Sequence, residues 1–211
     1  MANRIEIGFR AGIRDALGEK IKTRIIEHLR IPVDFVKTVE VYTIDAPLTP
    51  EELERAARGP LSDPVIQEYA VDRPLARGFD WLIEVGFRPG VTDNVGKTAA
   101  EAIGLLIGKS ARVYTSRQYA IGAVRGRCDL DTLTRADAER IASELLANDL
   151  IQRFDIIDGR GWEPAQGIKP YVPRVLGEEN PRTALIDLDR PDDELVRISN
   201  ERVLALTLEE M

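Results

Sequence analysis

Apolar and polar residues alternate through Ile5, Ile7 and Phe9, and again through Ile83, Val85 and Phe87. A period of two belongs to a strand with one buried face. Beyond each run the period lengthens to four: Leu17, Ile21, Ile25 and Leu29 in the first case, Val95, Ala99, Ile103 and Ile107 in the second. Each strand is therefore expected to lead into an amphipathic helix. Pro32 closes the first helix and Gly108 the second. Further strands are expected at Val36 to Ile44 and at Ala111 to Thr115, where β-branched residues and tyrosine dominate, with an additional one at Gln118 to Ala123.

A second helix follows in both places, and its start is written as a capping box. Thr49-Pro50-Glu51-Glu52 offers a cap, a proline at the first helical position and a carboxylate three residues on, with Leu48 and Leu53 as a staple. Thr134-Arg135-Ala136-Asp137 repeats the device ahead of Ala138, Ile141, Ala142, Leu145 and Leu146. Closing strands are expected at Val65 to Val71 and at Leu150 to Ile156.

These parallels extend to the letters. Glu6 to Gly18 and Glu84 to Gly96 are identical at 7 of 13 positions, and three more are exchanges among Ile, Leu and Val. The chain is a duplication. Its predicted architecture is α/β (α+β): β-α-β-(β)-α-β twice, with two helices per unit on one face of a largely antiparallel sheet and the units related by a pseudo-twofold. The units are expected at 1–75 and 76–157, and the longer second unit places its extra residues in the loop Val124 to Asp131. From 158 to 211 glycine and proline break the periodicity, which reads as a linker or wrapping tail. Within it a short strand is expected at Ala184 to Leu188 and a short helix from Pro191. Thr207 to Met211 resembles a capping box with no helix after it, as if a longer protein continued there.

Composition narrows the possibilities. With 29 Lys and Arg against 36 Asp and Glu, the net charge of −7 argues against nucleic-acid binding by charge neutralisation. The longest apolar stretch, Ala99 to Gly108, is interrupted by Glu101 and too short to span a bilayer, and no signal peptide opens the chain. One cysteine allows neither an intrachain disulfide nor a cysteine metal cluster. A soluble, cytoplasmic protein without membrane or nucleic-acid partners is expected.

Candidate chemistry is sparse. Gly12 and Gly90 lie between strand and helix, where a phosphate could be received. The spacing Gly-x-x-Asp-x-x-Gly is nevertheless neither a Walker nor a dinucleotide fingerprint, and Asp15 or Asp93 would repel an anion. These four residues are read as a structural turn: glycine for the bend, aspartate for the cap. His28, whose counterpart is Leu106, is read as packing beside the apolar stripe. Cys128, flanked by Arg125 and Arg127, has cationic neighbours that favour a thiolate, but no histidine partner or motif. Arg10, Arg88, Arg112 and Arg117, with Tyr114 and Tyr119, combine the side chains that anchor protein interfaces and form the candidate docking set.

The strand followed by Gly-Val/Ile-x-Asp-x-x-Gly and a helix, closing with Glu144-Leu145-Leu146-Ala147-Asn148-Asp149-Leu150-Ile151-Gln152-Arg153-Phe154, resembles the PurS family, the small subunit of phosphoribosylformylglycinamidine synthase. Phe79 to Thr98 and Asp63 to Tyr69 also resemble the N-terminal region of long, fused forms of that synthetase, and Asp192 to Ser199 the approach to its linker domain. The resemblance spans about Arg4 to Ile157 as two units in tandem. It implies a place in purine synthesis, where glutamine-derived ammonia replaces an amide oxygen at the expense of ATP and PurS dimers join synthetase to glutaminase. The partners implied are the synthetase catalytic domains or subunit and the glutaminase. ATP and magnesium belong to the catalytic part, whose motifs this sequence lacks, so no cofactor, metal or catalytic residue is expected in this chain. The rival readings are a regulatory module with a small-molecule site at the pseudo-twofold interface, and a free-standing enzyme using Cys128 or the arginines.

Overall fold

A computed structural model of the chain describes residues 2–123, 133–165, 167–174, 185–202, 204 and 206–211. The chain divides into two compact units, Met1–Val175 and Leu176–Met211. In the first, six strands form one open antiparallel sheet: β1 (Asn3–Phe9), β2 (Val33–Asp45), β3 (Gln67–Val71), β4 (Trp81–Phe87), β5 (Arg112–Ala123) and β6 (Gln152–Asp158), in the order β3-β1-β2-β5-β4-β6. The helices are α1 (Ala16–Arg24), α2 (Pro50–Ala56), α3 (Asn94–Ile107) and α4 (Arg135–Ile141). All but α3 run on into a wider π-helical turn, at 25–29, 57–61 and 142–146 respectively.

Helix starts follow the local chemistry. Asp15 and Asp93 each accept a hydrogen bond from a backbone amide three residues on, Gly18 and Gly96, both at 2.7 Å. Both capping boxes close: Glu52 N donates to Thr49 Oγ1 and Thr49 N to Glu52 Oε2, and Thr134 and Asp137 do the same. Gly108 ends α3 at φ +80°.

Ile5 and Ile7, Tyr42 and Ile44, Ile83 and Val85, and Tyr119 and Ile121 all face the helices across matching registers. Two clusters fill that side. One joins Ile21 and Ile25 to Ile141 and Ala142 over Trp81, Ile83 and Ile121. The other joins Leu53 and Ala56 to Ala99 and Ile103 over Ile5, Ile44 and Val113. Each cluster thus takes one helical segment from the first three strands' half and one from the second. The opposite face, where alternation alone predicts solvent, is covered at its centre by residues 72–80, 159–165 and 167–174. Ala76, Phe79, Trp162 and Ile168 pack there on Leu82 and Ala120.

Several expectations need correction. The strands expected separately at Ala111 to Thr115 and Gln118 to Ala123 are one continuous β5, because Ser116 and Arg117 pair with Val41 and Glu40 and the segment holds no turn residue. Val65-Ile66 and Leu150-Ile151 belong to turns, so the closing strands begin two residues later than expected. Residues 185–188 are irregular and pair with no strand among the described residues, Leu185 is fully exposed, and Ala184 lies outside the described residues. His28 is exposed, since only Ile21 and Ile25 of its helical segment turn fully inward. The loop Val124 to Asp131, with Arg125, Arg127 and Cys128, also lies outside the described residues. In the second unit a helix, α5 (Asp192–Glu201), starts after Pro191 as expected, and Thr207 N donates to the Glu210 carboxylate in a turn.

Candidate interaction surface

Arg10 and Arg88 stand at corresponding strand ends and do corresponding work. Arg10 Nε donates to the Gln67 carbonyl at 2.9 Å and its Nη2 to that of Pro64 at 3.0 Å, while Arg88 Nε donates to the Gln152 carbonyl at 2.9 Å. Their backbone amides hold the carbonyls of Ile66 and Ile151. Each guanidinium therefore fastens the turn that enters an edge strand. At the tips of those turns Val65 and Leu150 stand 78% and 81% exposed. Two apolar knobs are thus presented by rigid, arginine-braced turns at the two edge strands, an arrangement suited to insertion into a partner's pockets. The sequence signal for them is the repeated Val-Ile-Gln and Leu-Ile-Gln, which strand periodicity absorbs.

The other docking candidates separate by face. Arg112 and Tyr114 lie on the side away from the helices, Arg117 and Tyr119 on the helix side, because positions an odd number apart in a strand point oppositely. Arg112 is exposed, with its Nη2 3.7 Å from Asp45. Arg117 meets Glu40, its direct cross-strand neighbour, at 2.7 Å. Burial opposes the Arg117 charge, but the bond to Glu40 outweighs it and raises the pKa above the usual arginine value. Tyr42 donates to the same carboxylate at 3.5 Å; burial, reinforced by Glu40, pushes its phenol up to about 12.

On the far face, spanning the sheet from β1 to β4, sits a buried polar cluster. Arg4 gives its Nε to Glu6 at 2.8 Å and its two terminal nitrogens to Glu84 at 3.1 and 2.6 Å. Gln118 Nε2 bridges both carboxylates at 3.2 and 3.1 Å, Ser116 donates to Glu84 at 2.6 Å, and the Leu75 amide donates to Glu6 at 2.8 Å. Burial would raise the Glu84 pKa, yet the bonds from Arg4, Ser116 and Gln118 prevail and hold it below the usual carboxylate range. For Arg4, burial is likewise overcome by the two glutamates, and its pKa is raised. Glu6 and Glu84 are corresponding residues of the repeat, so one arginine ties the two halves together.

Gly12 and Gly90 both adopt φ +85°. The aspartates that follow use their remaining capacity on the neighbouring strand: Asp15 Oδ2 accepts from Thr38 N and Oγ1, and Asp93 likewise from Thr115. Among the described residues no group of three or more His, Cys, Asp or Glu is placed to hold a metal, and no helix is long and apolar enough to cross a membrane. The chain matches no known protein-family model, and no curated protein matches it.

Proposed function

We propose that the chain is a noncatalytic, tandem PurS-like assembly module of phosphoribosylformylglycinamidine synthase. In this reading it works in the cytoplasm, docking on the synthetase core and the glutaminase and supporting ammonia transfer between them. Its two repeats, 1–75 and 76–157, are related by a pseudo-twofold through the Glu40–Arg117 pair. The observation that carries the reading is the strand order: replacing each strand of the second half by its counterpart turns β3-β1-β2-β5-β4-β6 into a palindrome. A single chain then supplies what two separate subunits otherwise supply by dimerising. The paired Asp15–Thr38 and Asp93–Thr115 bonds, and the paired arginine braces behind Val65 and Leu150, support the same correspondence.

The rival ligand reading needs a cavity at the twofold. The space beside Glu40 and Arg117 is about 170 Å3, below the ~300–1,000 Å3 of ordinary ligand sites. Docking is therefore favoured. The test is size-exclusion chromatography of the chain with separately purified synthetase and glutaminase subunits, together with ADP release from formylglycinamide ribonucleotide, ATP and ammonia. The module should co-elute with the synthetase and release no ADP alone. Failure to co-elute, or turnover by the pure chain, overturns the proposal.

A further inference from the structure

The two halves carry corresponding clefts, and only one is filled. Gly86, Val91 and Thr115 line the cleft of the second half; Gly8, Ile13 and Thr38 line that of the first. In the second, the chain's own segment around Tyr171 and Pro173 enters, the Arg153 guanidinium lies 3.5 Å from the Tyr171 ring centre, and about 20 Å3 is left. In the first, Leu75, Ala76 and Arg77 line the cleft, and about 430 Å3 stays open. That volume falls within the ~300–1,000 Å3 of occupied ligand sites.

We infer that the first cleft receives an extended acidic segment of a partner polypeptide, bound as Tyr171 to Pro173 is bound in the second. The filled cleft supplies the shape of the occupant: an irregular strand with an aromatic residue and prolines. The side chains that line the first cleft supply its charge. Where Arg153 meets the aromatic ring in one cleft, Glu68 stands in the other; where Tyr114 stands in one, Lys37 stands in the other. Arg14 and Arg77 add two more exposed cations, neither with an ion pair or hydrogen bond among the described residues. Arg10 lines the cleft as well, and Asp15, Glu19 and Glu68 oppose these four cations. Four cations against three carboxylates leave an excess of one positive charge in a chain of net charge −7, whereas the filled cleft has Glu84 and Asp93 against Arg153 and takes a segment carrying Lys169 and Arg174. Such a patch favours carboxylates on the incoming strand and places an ammonium where its ring can stack. The inference rests on the correspondence of the halves and not on any role in purine synthesis.

The test is titration of the full chain with a fluorescent seven-residue peptide copying residues 168–174 but carrying Lys169→Glu and Arg174→Glu. Saturable one-to-one binding is expected, weakened about tenfold or more by the double variant Lys37→Glu with Arg77→Glu, and about tenfold weaker for the unaltered basic peptide. Both substituted side chains are exposed, and circular dichroism of the variant checks that it folds. No saturable binding up to about 1 mM overturns the inference. So does equal binding to the double variant, or displacement by inorganic phosphate at the same concentration as by unlabelled peptide, which would make the cleft a small-anion site. No synthetase subunit enters the experiment, so this inference and the proposed function can fail independently.

Discussion

Glu84 is held by one cation and two neutral donors where solvent does not screen them, and its charge is consequently a stability term that pH controls. Its pKa in the fold lies below the ~4.3 of an unfolded chain. Folding therefore draws the full benefit of the charge above about pH 4.3 and loses it as pH falls through the lower, folded value. Replacing Glu84 by glutamine leaves Arg4 with Glu6 alone, and should cost about 3 kcal/mol at pH 7. The expected signature is a crossover in slope: urea unfolding between pH 5 and 3 weakens the wild type more steeply than Glu84→Gln. Parallel pH profiles would show that the ion pair contributes nothing titratable. Arg4, at the same site, carries the other half of this bond, and its Nε also holds Glu6.

At the scale of an element, the turn from strand to helix separates two uses of glycine. Gly12 has open space around the position of a missing Cβ, so an alanine there meets only the strain of φ +85°, an angle that Gly90 shares. Gly18 and Gly96 have ordinary backbone angles but no room: an added Cβ would lie 2.2 Å from the Val36 carbonyl oxygen in one case and 2.4 Å from that of Val113 in the other. Gly12→Ala and Gly90→Ala should each lower the unfolding free energy by about 1 kcal/mol. Gly18→Ala and Gly96→Ala should cost about 3 kcal/mol, since the helix must move off the strand and its aspartate cap with it. Chemical denaturation of the four variants gives the comparison, and equal losses would contradict it. Such turns were legible in the sequence because everything they need is within a few residues: Asp15 caps the amide of Gly18, and Thr49 and Glu52 cap each other. The continuity of β5 was not, because it depends on β2, which pairs with it from more than 60 residues away. Nor was the target of Arg10, a carbonyl 57 residues on. Alternation places Glu6 and Glu84 on the face opposite the apolar residues, and their burial depends on segments distant in the chain, such as the one whose Leu75 amide donates to Glu6.

Across Met1–Val175 the halves do not have separate cores. Ile25 of the first half shares a cluster with Ile141 of the second, and Leu53 with Ile103. Calorimetry should accordingly find a single transition for this unit, with van't Hoff and calorimetric enthalpies in agreement. Two resolved transitions traceable to residues 3–71 and 81–158 would refute the shared core.

The pairing of β2 with β5 has a consequence for synthesis on the ribosome. When Asp45 has left the exit tunnel, 78 more residues must follow before Ala123, the far end of its partner strand, can arrive. At about 5–20 residues per second that interval is roughly 4–16 s. Throughout it the long edge of β2 offers unpaired amides and carbonyls, and Ile21 and Ile25 lack the helix that covers them. A nascent first half is thus a temporary sticky edge, able to capture the β2 of another nascent chain through the same register that β5 will later use. Slow codons read while residues 46–123 emerge would lengthen that exposure, whereas slow codons read after Ala123 has emerged would leave it unchanged.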